Sequence, residues 1–279
     1  MEGVEDIPGS ALAEGINWDW ETFPEYLDAL EKFDRSIDIG TQIPHGAVRA
    51  YVMGERSDQV ATPDDIEKMS LIVEEALGAG ALGFTSSRTM LHRAKDGEPV
   101  PGTFAGHDEL MSLGRACGRA GHGVFEISSD FGMGGMHGRF REDVDWMSAL
   151  SKETGLPISF ILAQASHHPD EWREILHWTE QAVSAGANLR AQVAARPAGM
   201  LMNFDNPMHP FKGHPTYLKV AALSLEDKVK ALSVPMTRKQ LVEESSTLKG
   251  KFDSFFVTHF DNMYPLGDPP NYEPTPEES

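Results

Sequence analysis

Apolar side chains recur at three- and four-residue spacing in four stretches of the chain, and each stretch ends at a glycine. Ile66, Met69, Ile72, Val73, Ala76 and Leu77 make the clearest stripe, the pattern of a helix with one buried face. Thr62 precedes Pro63, Asp64 and Asp65. Thr62 therefore reads as the N-cap, Pro63 fits the first turn, and the acids face the positive helix end. Gly78 and Gly80 end this helix. Leu110, Leu113, Cys117 and Ala120 stripe a second helix that stops at Gly121, and Val144, Met147 and Leu150 a third that stops at Gly155. Pro169, Trp172, Ile175, Leu176, Thr179 and Val183 belong to a fourth that stops at Gly186.

A short β-rich run follows each stop, at residues 81–86, 123–127, 157–163 and 188–193. An earlier run, 37–43, follows a helical stretch near residues 24–30. Helices alternating with strands at this spacing predict βαβ units, a parallel sheet and right-handed crossovers. Five such units fit an open doubly wound sheet or part of a (β/α)8 barrel. No G-x-G-x-x-G follows a strand and no G-x-x-x-x-G-K-[ST] occurs. The expected α/β fold is therefore a partial TIM-type barrel of about five to six βα units, with too few strands to close. Its missing strands would expose two edges and part of the core, which predicts poor solubility or a homo-oligomer. The alternating units occupy residues 1–195. Residues 196–279 hold a Pro-rich loop, helical segments within 225–246, and an acidic tail from Pro265 that reads as extended.

Composition narrows the classes of function. In 279 residues, 43 Asp+Glu against 24 Lys+Arg give a net charge of −19, which repels nucleic-acid phosphate. Apolar runs are short and broken by glycine, so no segment spans a bilayer, and the acidic start offers no secretory signal. The one cysteine, Cys117, gives neither a disulfide framework nor a Cys-based zinc site. A cytoplasmic globular protein acting on a small molecule is expected.

In parallel α/β folds the chemistry collects at the carboxyl ends of the strands. That rule selects Gln42 and His45, then Ser86, Ser87 and Arg88, then Glu126 and Ser128, then Gln164, His167 and His168, and finally Gln192 and Arg196. Arg88 has the chemistry to clamp a carboxylate, or to pair with a neighbouring acid. His45 can serve as a base, bond to substrate, or bond to backbone, and Gly46 allows close approach of the chain. His167 and His168 are adjacent and point in different directions, so they do not share a metal. His209 and His214 lack paired acid ligands. Neither H-E-x-x-H nor G-x-S-x-G occurs. The glycine-rich stretch 132–138 reads as a flexible surface loop, with a lid over the barrel mouth as the alternative.

Several phrases resemble the D-aminoacylases, N-acyl-D-amino-acid deacylases of the amidohydrolase superfamily. They are Met1-Glu2-Gly3-Val4-Glu5-Asp6-Ile7-Pro8, Trp18-Asp19-Trp20-Glu21-Thr22-Phe23-Pro24, His45-Gly46-Ala47-Val48-Arg49, Gly80-Ala81-Leu82-Gly83-Phe84-Thr85-Ser86-Ser87-Arg88, and Leu266-Gly267-Asp268-Pro269-Pro270. The resemblance implies a (β/α)8 barrel and a zinc-bound water that attacks an amide, since a metal lowers the water pKa towards 7 and polarises the carbonyl. It also implies an H-x-H pair, a nearby cysteine, histidines on the middle strands and a late catalytic aspartate. None of these matches a position here, and Cys117 lies in a predicted helix. The chain is therefore expected to be the central part of such a hydrolase, binding no zinc by itself. On this view His45, Ser86, Arg88, Gln164, Gln192 and Arg196 hold an N-acyl amino acid, with Arg88 or Arg196 on its carboxylate. Glu126, Gln164 and Gln192 take polar roles at the pocket floor, where glutamine is a poor zinc ligand but a good amide partner. Two other readings stand beside it. One is a non-catalytic barrel that binds a small acid or peptide, and the other a metal-free enzyme using His45 or Glu126 as base.

Overall fold

The structure is a computed structural model that describes residues 7, 9–94, 98–131, 140–165, 168–195, 199, 201–204, 209–248, 260, 263–273, 275 and 277. The chain divides into two compact units, Met1–Arg196 and Pro197–Ser279.

The first unit runs α1 (Gly9–Gly15), α2 (Phe23–Glu31), β1 (Ile43–Pro44), α3 (His45–Met53), a 3-10 turn (Gly54–Arg56), α4 (Pro63–Ala79), β2 (Gly83–Arg88), α5 (His107–Ala120), β3 (Val124–Ser129), α6 (Phe140–Thr154), β4 (Ile158–Ile161), α7 (Glu171–Ser184) and β5 (Leu189–Gln192). The five strands are parallel and lie in the order β1-β2-β3-β4-β5. Each strand sits beside the one before it, with no reversal of order. This is how a barrel winds, and it differs from a doubly wound sheet, whose order reverses at a switch point.

The helix signals work as read. The Thr22 and Thr62 hydroxyls accept from Glu25 N and Asp65 N, and the Glu25 and Asp65 carboxylates return bonds to the cap backbone. Both are capping boxes, with aspartate in place of the usual glutamate at the second. Gly80, Gly121, Gly155 and Gly186 all have positive φ, at 119°, 74°, 76° and 98°. This left-handed geometry is the natural exit from a helix. Gly83 answers to a different need. A Cβ there would lie 2.0 Å from Val124 O, so only glycine lets β2 approach β3 at this point.

The core lies between one face of the sheet and the helices. Phe84, Phe125, Ile127, Ile158, Phe160 and Leu189 meet Met69, Val73, Leu77, Leu110, Leu113, Met147 and Leu150, all buried. The Phe84 and Phe125 rings are 5.0 Å apart, and Phe131 makes edge contacts with Phe160 and Phe140 at 5.1 and 5.3 Å.

The structure corrects two local expectations. The strand expected over 37–43 is reduced to Ile43–Pro44, which pair with Phe84 and Thr85. Ile37 and Ile39 have no strand partner and are 72% and 53% exposed. The segment after it, where no helix is predicted, is helix α3, whose first residue is His45.

The second unit contains α8 (Pro215–Leu218), α9 (Leu225–Ser233) and α10 (Pro235–Glu243). Tyr217, Val220 and Leu241 form its small core. His209 is buried there with its ring 4.4 Å from that of Tyr217, and its Nδ1 accepts from Phe211 N at 3.2 Å. Burial pushes the His209 pKa down to about 4, with help from the charges of Lys212, Lys228 and His214.

Candidate functional site

A strand sends alternate side chains to opposite faces. On β2, Phe84 and Ser86 point into the helix layer, and Thr85 and Ser87 point the other way. The register carries this second set across the sheet. Thr85 pairs with Glu126, Glu126 with Ser159, and Ser159 with Arg190. One step towards the carboxyl ends, Ser87 pairs with Ser128 and Ile161 with Gln192. Glu126, Arg190 and Gln192 are exposed and Thr85, Ser87 and Ser128 half-buried. The Gln42 side chain, just before β1, crosses to donate from Nε2 to Glu126 Oε2 at 2.8 Å. Buried parallel strands ordinarily read as near-continuous apolar runs because both faces are covered. Here the face away from the helices is polar, which is the surface a barrel turns towards its lumen.

The other face holds a second polar group, and it is sealed. His45 Nδ1 lies 2.9 Å from Ser86 Oγ, and His45 Nε2 lies 2.8 Å from Glu109 Oε1. Arg49 Nη1 donates to both Glu109 oxygens, at 2.5 and 2.6 Å. Arg49 also donates from Nε to Ser57 O at 3.0 Å and from Nη2 to Gln59 O. His45 and Arg49 are one helical turn apart on α3, so they meet the same carboxylate on α5.

Burial pushes the His45 pKa below the ordinary histidine value, outweighing the hydrogen bond and charge of Glu109. Burial by itself raises the Glu109 carboxyl, but the bonds from His45 and Arg49, with their charges, bring it below its usual range. A neutral His45 facing an ionised Glu109 carries its proton on Nε2, so Nδ1 accepts from the Ser86 hydroxyl. Serine, histidine and carboxylate in series is the logic of a hydrolase triad. All three are at most 4% exposed, and a Cβ on Gly102 would lie 2.8 Å from His45 Nδ1. The group clamps α3 and α5 to β2 and is closed to substrate.

The other residues selected from the sequence fall in separate places. Arg88 ends β2, donates to Ala105 O at 2.9 Å, and meets Asp143 Oδ1 at 3.4 Å. Its Nε is buried without a partner. Gln164 follows β4, is exposed, and donates to Pro169 O at 3.1 Å. Ser87 Oγ lies 2.8 Å from His92 Nδ1. His168 pairs with Ala165 in an isolated antiparallel bridge. Arg196, His167 and the 132–138 stretch lie outside the described residues. The structure thus joins His45 to Ser86, and joins Gln42 to Glu126 on the face that carries Gln192. Sequence reasoning missed Glu109, Arg49 and Asp143. The signal was a charged residue inside an apolar stripe, Glu109 beside Leu110 and Leu113, facing a His-x-x-x-Arg turn.

Cys117 is buried in α5, and burial pushes its thiol up to about 12. Among the described residues no three of His, Cys, Asp and Glu converge as a metal site. No described helix is long and apolar enough to cross a membrane.

The model of the amidohydrolase family Amidohydro_3 matches residues 1–237. The chain belongs to the amidohydrolase family. Within this amidohydrolase, 79 residues are 33% identical to a D-aminoacylase of Alcaligenes xylosoxydans xylosoxydans, covering 28% of this chain and 16% of that protein. An uncharacterized protein of Mycobacterium tuberculosis is 27% identical over 121 residues, which is 39% of this chain and 20% of that one. The crystal structure of N-acyl-D-glutamate deacylase from Bordetella bronchiseptica, complexed with zinc and a phosphonate inhibitor, shares the fold. Its TM-score is 0.50 at 18% identity, covering 63% of this chain and 34% of that chain. These matches span between 16% and 34% of the relatives' own length.

Proposed function

We propose that this amidohydrolase chain forms part of the barrel of an enzyme that cleaves the amide bond of N-acyl-D-amino acids, and that zinc and the proton-transferring carboxylate come from further polypeptide. The observation that carries the reading is the polar strand face, with Gln42, Glu126 and Gln192 turned away from the apolar helix-side face of a five-stranded sheet whose order is that of a barrel. The described residues do not offer a zinc-binding set, so every role below belongs to the chain's own groups.

Gln192 and Ser128, near the carboxyl ends of β5 and β3, have the donors and acceptors to hold the acyl amide and carboxylate. Gln42 fixes Glu126 by its 2.8 Å bond, leaving the second carboxylate oxygen to face substrate or water. His45, Ser86 and Arg88 act behind the face. Their bonds to Glu109, Ala105 and Asp143 hold the ends of β2 and its loop in place. Orientation of this kind is a large part of what a catalytic site supplies.

The test is turnover of a panel of N-acyl-D-amino acids together with zinc content. It is run on the purified chain and on the chain extended in frame by its flanking coding sequence. Activity with bound zinc is expected in the extended polypeptide alone. Turnover with stoichiometric zinc in residues 1–279 would refute the partial-barrel reading. Ligand binding without turnover in the extended protein would favour a non-catalytic binding module.

A further inference from the structure

Beside the edge strand β1 lies a cavity of about 510 Å³, within the size range of small-molecule sites. Four aromatic residues line it, Trp20, Phe23, Tyr26 and Tyr51. The Trp20 and Tyr26 ring centroids are 5.3 Å apart, those of Phe23 and Tyr26 5.8 Å, and Trp18 extends the cluster at 5.8 Å from Trp20. Two carboxylates, Glu21 and Glu75, stand in the wall, and no Lys, Arg or His does so. The Tyr51 hydroxyl donates to Glu21 Oε1 at 2.9 Å. That bond raises the phenol pKa, as do the charges of Glu21, Glu25 and Glu75, so three carboxylates act on one ring. Gln42, also in the wall, has a buried Oε1 without a hydrogen-bond partner.

Aromatic faces carry negative charge at their centres and attract a cation within about 6 Å, most strongly when the cation is weakly hydrated. A wall of such rings with carboxylates and no base repels anions and leaves a neutral apolar ligand no polar anchor. The complementary ligand is a cation whose charge is wrapped in carbon. We propose that this cavity binds a small organic cation with an alkylated ammonium head, seated over Trp20 and Tyr26 and neutralised by Glu21 and Glu75. The cavity borders the open edge of β1, so the proposal concerns residues 1–279 as they fold here, before any further polypeptide of the barrel reading pairs with that edge.

Calorimetric titration of the purified chain with choline, and with its neutral isostere 3,3-dimethylbutan-1-ol, tests it. Choline binds at one saturable site, and the isostere binds several-fold more weakly, the discrimination a partly exposed cation–π site provides. Glu75→Gln, at an exposed position that the fold does not need, weakens choline several-fold and leaves the isostere unchanged. Trp20→Leu abolishes choline binding while the circular dichroism stays native. Equal binding of choline and isostere would reduce the cavity to an apolar groove and overturn the proposal, as would absence of saturable choline binding. Self-association that is lost in Trp20→Leu, with no response to choline, would give the groove to a second copy of this chain and overturn it equally.

Discussion

Glu109→Ala removes one carboxylate and leaves two buried partners facing a gap. Arg49, 3% exposed, loses both carboxylate bonds and keeps only the carbonyls of Ser57 and Gln59. His45, 1% exposed, loses the acceptor of its Nε2 proton at 2.8 Å. Breaking a buried ion pair by deleting one partner costs about 3–5 kcal/mol, mostly from the charge left behind. That is a large share of the stability of an ordinary domain, about 5–15 kcal/mol. The assay is urea unfolding followed by tryptophan fluorescence and far-UV circular dichroism, with the slope checked for constancy. A second variant separates charge from packing. Replacing the group together, His45→Leu, Arg49→Met, Glu109→Leu and Ser86→Ala, recovers most of the loss, because a buried polar network exchanged whole for apolar groups is often neutral. A loss below about 1 kcal/mol for Glu109→Ala, the value typical of an exposed pair, would refute the account of a sealed clamp.

Two further outcomes follow from backbone and burial. Gly83→Ala places a methyl 2.0 Å from Val124 O at a φ of 156° and destabilises by at least about 1–3 kcal/mol, whereas Gly78→Ala in α4, with nothing within 4 Å, stabilises by up to about 1 kcal/mol; paired thermal melts decide between them. Burial pushes the His209 pKa down to about 4 from the ordinary histidine value of 6.5, so the unfolded chain takes up its proton first as pH falls. The His209 contribution is therefore complete above about pH 6.5 and lost on descending towards 4, with a slope of up to about 1.4 kcal/mol per pH unit for one proton; His209→Asn flattens the urea midpoint against pH across that window, and an unchanged slope would contradict the assignment.

The sequence disclosed what local chemistry dictates. The four stop glycines were legible because leaving a helix through positive φ is a glycine's task, and the stripes were legible because one face of each helix meets the core. The first strand was misread because Ile37, Ile39 and Ile43 alternate like a strand, yet only Ile43 and Pro44 find a neighbour to bond. Helix α3 was missed because Pro44-His45-Gly46 carries turn residues. Pro44 precedes the first helical residue, where its missing N–H has no helical partner to lose. The strand-end rule picked residues by position along the chain and ignored the phase of the pleat. It therefore grouped Ser86 with Ser87 and His45 with Gln42, although the pleat sends Ser86 to the helix layer and His45 belongs to that layer as the first residue of α3. That phase is set by which residues pair across β1, β2 and β3, a long-range fact no local pattern contains.

The central claim is that the sheet turns a polar face away from its helices and buries the His45–Ser86–Glu109 group behind it. Maleimide labelling of two single variants, Glu126→Cys and Ser86→Cys, tests this directly. Cys117 is the internal reference, since its buried thiol with a pKa near 12 stays silent in the native state. The account predicts rapid labelling at position 126 and protection at position 86 until urea unfolds the chain. Equal labelling rates at the two positions under native conditions, or protection at 126 with reaction at 86, would contradict it.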